Sequence, residues 1–363
     1  MIALTAEEYQ TGPNALATRA QKQAESSNDP LNPFAHWPAL NIAAWLGHAD
    51  HVKALIDISD SPNSLDPEGH SPLSRAVFQG HLRIAKQLIK AGANTNHRLP
   101  DGSTILKVAV NNGFTDASQM LLQAGATLQV TANTDPLLFD ALIHEHQSIA
   151  LMLFDYGADP AITFNSRTPL MLAAQNGHEP VVEKLLTTQD NLNQMDNTGH
   201  TALWLAASAN QHATVLQLLN ANADFTLADN QGNTCLAITA LSGHGQIAAM
   251  LLERGAIADT ANNMGNNPLM LAAQRGHTDI ISLLADKAVS VSIRNNRSQT
   301  ALMLATEAGH LPDVKLLLHH GSNPNRRNLD GKNSIVIARQ VGQLHIVDFL
   351  EQHANENKLF KVF

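Results

Sequence analysis

The sequence has 363 residues, of which 44% are apolar, and a formal net charge of −9. No run of 18 apolar residues occurs, so no membrane span is expected, and the acidic balance argues against nucleic acid as the partner. A lone cysteine, Cys235, excludes an intramolecular disulfide and a cysteine zinc site. Because Glu7 and Glu8 stand where a secretory signal would be basic and then apolar, we expect a cytoplasmic protein.

The first segment of the chain is polar and weakly patterned. Residues 4–25 have a short helical stripe that includes Leu16 and Ala20, and residues 26–33 suit a linker. Residues 1–33 are therefore predicted to be either a helical cap or a flexible arm.

From residue 34 onward the sequence repeats itself. Thr168–His178 reads TPLMLAAQNGH, and Asn267–His277 reads NPLMLAAQRGH. One aliphatic residue recurs in this motif every 32 or 33 positions, and we call these residues the anchors: Leu40, Leu73, Leu106, Leu138, Leu170, Leu203, Leu236, Leu269, Leu302 and Ile335. A fixed period of this length indicates stacked structural repeats.

Each repeat contains the signals of two short helices. Thr168 is suited to cap a first helix, with Pro169 at its first position, and Gly177 is suited to end it. A second helix is predicted after His178, with one apolar stripe formed by Val181, Val182, Leu185 and Leu186. Such a pair is too small to bury its own apolar face and must lie between neighbours.

The motif resembles the ankyrin repeat. The resemblance implies an all-α solenoid of helix-turn-helix units with β-turn fingers, with ten repeats over residues 34–355 and a tail at 356–363. The end repeats are degenerate, as capping repeats are. Repeat four departs most, because 130–135 lacks the turn glycine, and we expect a shortened turn or a local kink there.

The sequence predicts no catalytic residue, cofactor or metal. Of the 18 histidines, six follow the glycine between the two helices, where a structural role in the turn explains them: His48, His81, His178, His244, His277 and His310. The pairs His144/His146 and His319/His320 lack the spacing that places two imidazoles on one metal. Cys235 is interpreted as a small apolar filler.

The resemblance places partner contacts on a concave face. This face is formed by the residues six, five and three before each anchor and those five and six after it. In repeats one and two these positions hold an aromatic group, namely Phe34, Trp37, Trp45, His70 and Phe78, together with Leu46. Aromatic side chains anchor interfaces, although Trp37 and Trp45 are equally suited to seal the end of the stack.

The other candidate contacts lie further along the chain. Arg167 is a turn residue, and Trp204 follows an anchor, as do Met171, Met270 and Met303, which are interpreted either as an apolar floor or as core. Residues 294–332 carry six basic and three acidic side chains. This basic patch favours an acidic or phosphorylated partner segment, and its candidates are Arg275, Arg294, Arg297, Arg327 and Lys332.

The predicted function is a protein–protein interaction module, monomeric, that holds a partner protein in its groove. Abundant Asn, Gln and His with little Lys leave a second hypothesis open, a sequestering inhibitor or effector secreted into a host cell. An enzyme with its site built across repeats is the least favoured hypothesis.

Overall fold

The computed structural model describes residues 34, 36–58, 60–128, 136–188, 192–287 and 289–359, with side chains through residue 354. The chain divides into two compact units, unit 1 (Met1–Asp159) and unit 2 (Pro160–Phe363). The predicted cap or arm at 1–33, the turn at 130–135 and residues 360–363 lie outside the described residues. Residues 356–359 continue the last helix.

Eight helices are described in unit 1. They are α1 (Ala39–Leu46), α2 (Ala49–Asp57), α3 (Pro72–Phe78), α4 (Leu82–Lys90), α5 (Ile105–Asn111), α6 (Thr115–Gln123), α7 (Leu137–Ile143) and α8 (Gln147–Asp155).

Unit 2 continues the same alternation of first and second helices over its described residues. Its helices are α9 (Pro169–Asn176), α10 (Glu179–Leu186), α11 (Ala202–Ser208), α12 (His212–Asn220), α13 (Cys235–Ser242), α14 (Gly245–Glu253), α15 (Pro268–Arg275), α16 (Thr278–Asp286), α17 (Ala301–Ala308), α18 (Leu311–His319), α19 (Ser334–Gln340) and α20 (Leu344–Leu359). The described ranges contain no β-strand, only isolated bridges such as Arg98–Thr104. The prediction of an all-α repeat fold is confirmed.

The first helices begin and end at the residues that the motif predicts. The Thr168 hydroxyl accepts a hydrogen bond from the backbone N–H of Met171 at 3.2 Å, and Asn267 does the same for Met270 at 3.0 Å. Gly177 ends α9 in the left-handed conformation, with φ +70°. Each cap satisfies backbone groups that the helix end leaves unpaired.

Each unit consists of two helical layers. The first helix of a repeat packs against the first helix of the next, as α1 does against α3 and α15 against α17, and the second helices pack likewise. The anchors from Leu40 to Leu302 are buried, while Ile335 in the last repeat is half-buried. The core of each unit is therefore the contact between successive repeats.

The histidines after the glycines are part of this contact. The ring of His277 lies over Gly243 of the preceding repeat, and its Nε2 lies 3.2 Å from the carbonyl oxygen of Leu241. His81 does the same over Gly47, with the Trp45 carbonyl at 3.2 Å. For His81, His277 and His310 the structural interpretation is confirmed, because each ring fills the space that a side chain at the glycine would take.

A ladder of asparagines joins the turn fingers of unit 2. The side-chain amides of Asn230, Asn263 and Asn296 each donate to the backbone carbonyl of the residue 33 positions earlier, at 2.9, 3.0 and 3.0 Å. The backbone N–H of each also donates to the preceding finger. The fingers are thus held at the same spacing as the helices below them.

We predict that Gly276→Ala destabilises unit 2 more than Gly321→Ala. Both glycines have left-handed backbones, with φ +83° and +86°, and this conformation costs about 1 kcal/mol for a residue with a Cβ. A Cβ at Gly276 would also lie 2.8 Å from the His310 ring, whereas nothing lies within 4 Å at Gly321. Urea denaturation of the two variants gives the difference. His310→Ala should bring the Gly276→Ala loss down to the Gly321→Ala value; equal losses in the two single variants would contradict this account.

Candidate partner-binding face

One side of each repeat is formed by its turn and by the outer side of its first helix. We call it the turn-side face and define it by the positions six, five and three before each anchor and five and six after it. The position three before the anchor contacts the position five after it in several repeats: Trp37–Trp45, His70–Phe78, Arg167–Gln175 and Gln299–Glu307. The positions that the resemblance implied are therefore neighbours in the structure.

The aromatic candidates of repeats one and two lie together in unit 1. The ring centroids of Phe34 and Trp37 are 5.3 Å apart, and those of Trp37 and Trp45 are 6.1 Å apart, both edge to face. Trp37 is only 6% exposed, while Phe34 and Trp45 are half-buried. Trp37 therefore serves as packing beneath the face, and Trp45 with the exposed Leu46 presents apolar surface.

Arg75 organises this cluster and was not predicted from the sequence. Its guanidinium carbon lies 3.9 Å from the ring centroid of Trp37 and 5.3 Å from that of Trp45. Its nitrogens bind the carboxylates of Asp66 at 2.7 Å and Glu68 at 2.6 Å. Arg75 and Asp66 are buried, so the cation is held by two carboxylates and two indole rings at once.

Arg75 is distinguishable in the sequence when the same position is compared between repeats. The position two after the anchor is apolar and buried in most repeats, for example Leu172, Leu205 and Leu271. Arg75 and Asp140 are the charged exceptions, and Asp140 pairs with Lys107 at 3.0 Å. An alignment of the repeats therefore identifies Arg75 and Asp140 as charged residues at a position that is otherwise apolar.

His70 and Phe78 continue the aromatic surface into repeat two. Their ring centroids are 5.3 Å apart, and both residues are half-buried. Burial, and then the nearby Arg75 cation, lower the pKa of His70 below its usual value. His70 is therefore neutral at pH 7 and presents an uncharged ring.

The central candidates have different surroundings. Arg167 is half-buried, and its guanidinium donates to the side-chain oxygen of Gln175. Trp204 is 8% exposed, stacks on His200 with centroids 3.7 Å apart, and donates from Nε1 to the carbonyl of Asn233 at 3.1 Å. The structure gives Trp204 a packing role between two repeats.

The methionines that follow the anchors belong to the core. Met171, Met270 and Met303 are each 1% exposed. The interpretation as an apolar floor for a partner is wrong, and the alternative of core packing is confirmed.

The residues of the predicted basic patch fall into two groups in the structure, those that bond to turn carbonyls and those that remain available at the surface. Arg294 donates to the carbonyls of Ser298 and Arg327, and Arg327 donates to Gly331, so both stabilise turn fingers. Arg275 is exposed at the end of α15.

Arg297 and Lys332 line a cleft of about 420 Å³ together with the carboxylates Glu307 and Asp330. The apolar residues Leu329, Ile337 and Val341 also line it. The cleft carries two cations and two carboxylates, so it is less basic than the sequence run suggests.

No metal centre is found in the described part of the chain, where no group of three or more His, Cys, Asp or Glu side chains is placed to hold an ion. The rings of His144 and His146 stack with centroids 6.0 Å apart. None of the described helices is both long and apolar enough to cross a membrane.

These features define a class of protein, the helical-repeat proteins built from short helix pairs and turn fingers. The family model for ankyrin repeats (3 copies) matches residues 14–98, 76–164, 161–229, 212–295, 257–328 and 289–359, and the chain belongs to the ankyrin-repeat family. Ankyrin repeats are generally protein–protein interaction modules. No curated protein matches the sequence.

We predict that Arg75→Met costs about 3–5 kcal/mol of unfolding free energy, because it leaves the buried Asp66 carboxylate without its cation. The double variant Asp66→Asn/Arg75→Met removes both charges and should recover much of that loss. Arg83→Ala is the control, because it breaks an exposed pair with Asp50 and should change little. Chemical denaturation measures all three. If the double variant is as unstable as Arg75→Met, the uncompensated charge is not the cause.

Cys235 should not react with thiol reagents in the native protein. Its side chain is buried, and burial raises the pKa of its thiol to about 12, so the reactive thiolate is absent at pH 8. An aromatic disulfide reagent should label the protein only when urea is added. Rapid labelling of the native chain would contradict the assignment of Cys235 as a core filler.

Proposed function

We propose that the protein is a binding module that holds a partner protein on its turn-side face. The observation that carries this proposal is the contrast between anchors and face. The anchors are aliphatic in every repeat, whereas the contacting positions above them hold Trp with Trp, His with Phe, Arg with Gln, and Gln with Glu. The fold constrains the anchors and leaves the face free to match a partner.

The aromatic surface of unit 1 supports the proposal. Trp45, Phe78 and His70 are half-buried and packed against other rings of the protein, and Leu46 is 44% exposed. Aromatic side chains that are fixed before binding contribute contact area at little cost in conformational entropy. This surface is suited to be the centre of an interface.

In unit 2 the proposed contact is the cleft of the last repeats. Within the described residues, the side chains of Arg297 and Lys332 make no hydrogen bond or ion pair with the protein. We propose that they bind an acidic or phosphorylated segment of the partner, with an apolar neighbour of that segment against Leu329 and Val341. Glu307 and Asp330 would then limit which acidic segments are accepted.

The experiment compares two leucine variants of equal chemistry. Leu46→Gln alters the turn-side face, whereas Leu82→Gln alters an exposed position of the second-helix layer, on α4. We expect affinity capture from the source cells, with mass spectrometry, to recover one protein with the wild type and with Leu82→Gln but at least tenfold less with Leu46→Gln. Binding of that purified protein is then measured directly.

Arg297→Gln/Lys332→Gln tests the cleft of unit 2 in the same way. Melting temperatures confirm that each variant is folded. A partner that is lost with Leu82→Gln and kept with the face variants would place binding on the second-helix layer and contradict the proposal. The origin of the captured protein, host or source cell, distinguishes an effector from an endogenous adaptor.

A further inference from the structure

The turn-side face of unit 1 has a charge of its own. We propose that it takes a basic segment of the partner, with a Lys or Arg side chain placed over Trp45 and Phe78 and paired with Glu68 and Asp101. The inference rests on the proposed function and specifies its partner. It assigns to unit 1 a ligand charge opposite to that favoured by the basic patch of unit 2.

The charges at the described turn-side positions differ between the units. In unit 1 they are Glu68 and Asp101, with no Lys or Arg. In unit 2 four cations stand against two carboxylates, a formal excess of +2: Arg167, Arg275, Arg297 and Lys332 against Glu307 and Asp330. Because a surface attracts segments of opposite charge, the two faces favour different parts of a partner.

Both carboxylates of unit 1 are available to a ligand. The side chain of Glu68 is 58% exposed although it binds Arg75, and Asp101 is exposed at the next finger. The Ser103 hydroxyl and backbone N–H both donate to Asp101, at 2.7 and 2.9 Å, and they lower the pKa of that carboxyl. Asp101 is therefore ionised at neutral pH.

The cations of this part of unit 1 do not neutralise the face. Arg75 is already paired with Asp66 and Glu68, and Lys107 with Asp140. Arg98 donates to the carbonyl of Gly102 and keeps its positive charge on the finger that carries Asp101. The remaining cations of the described first three repeats are on second helices: Lys53, Arg83, Lys86 and Lys90. Since His70 is neutral, the group of Asp66, Glu68, Arg75, Arg98 and Asp101 keeps a formal charge of −1.

The cluster already binds one guanidinium, and two of the groups that hold it, Trp45 and Glu68, are among those that we propose for the ligand. Arg75 lies against the rings of Trp37 and Trp45 and pairs with two carboxylates. Trp45 and Phe78 remain half-buried, which leaves ring surface for a second cation. A cation over an aromatic ring beside a carboxylate is favourable, and more so when binding removes water.

The test is a selection from a random peptide library displayed on phage, with the full chain as bait. We expect the enriched peptides to contain Lys or Arg next to an apolar or aromatic residue. A synthetic peptide of the enriched sequence should bind Glu68→Gln/Asp101→Asn at least tenfold more weakly than the wild type, and its affinity should fall as salt is raised. The control Asp57→Asn/Asp116→Asn removes the same charge from the second-helix layer of unit 1 and should bind normally.

The outcomes separate this inference from the proposed function. Peptides that lose binding with Leu46→Gln but are acidic or neutral, or that bind Glu68→Gln/Asp101→Asn as well as the wild type, would overturn the basic-segment inference alone. If no peptide is enriched, or every enriched peptide binds Leu46→Gln normally, both proposals fail for unit 1.

Discussion

The burial of each anchor between its own repeat and the neighbouring helix pairs is the interaction on which the rest of the structure depends. A pair of helices of seven to nine residues cannot shield an anchor such as Leu203 or Leu236 alone, and both are buried only because the adjacent helices pack over them. The apolar residue that follows the anchor is buried in the same core. This is why Met270 and Met303 are core residues and not a binding floor. What remains outside the contact is the turn and the outer side of the first helix.

The contact between repeats also fixes the polar residues that look functional in the sequence. Histidines that follow the inter-helix glycine in six repeats suggest chemistry when the sequence is considered alone, yet the rings of His81 and His277 lie on glycines of the preceding repeat and face its carbonyls. The asparagines at 230, 263 and 296 recur for a similar reason, because each amide bonds to the preceding finger. Residue types that recur at one position in several repeats are thus explained by stacking, and function has to be sought where the repeats differ.

This distinction explains how much the sequence could predict. Helix positions, caps and layers were predictable because they depend on features that recur with the period, such as Thr168, Gly177 and the anchors. The neighbourhood of Trp37, Trp45 and His70 was also predictable from their place in the repeat. The burial of Trp204 was not, because it depends on His200 and on the Asn233 carbonyl of the next finger. The sequence also could not predict which basic residues remain available to a partner. Arg294 and Arg327 bond to backbone carbonyls, and such contacts do not depend on the residue type that supplies the carbonyl.

Arg75 is the clearest exception to the rule that the position two after the anchor is apolar, and its surroundings suggest a reason. Aliphatic side chains serve at the same place in other repeats, and a buried ion pair seldom stabilises a fold more than an aliphatic side chain of similar volume. Its partner Asp66 also accepts hydrogen bonds from the backbone N–H groups of Glu68 and His70, at 3.0 and 2.9 Å. One cation therefore fixes the turn that carries the exposed Glu68 carboxylate and the neutral His70 ring, and it also lies beside the ring of Trp45. Departures from the pattern that cost stability are expected where a protein uses its surface, so the ion pair and the proposed interface of unit 1 have one explanation.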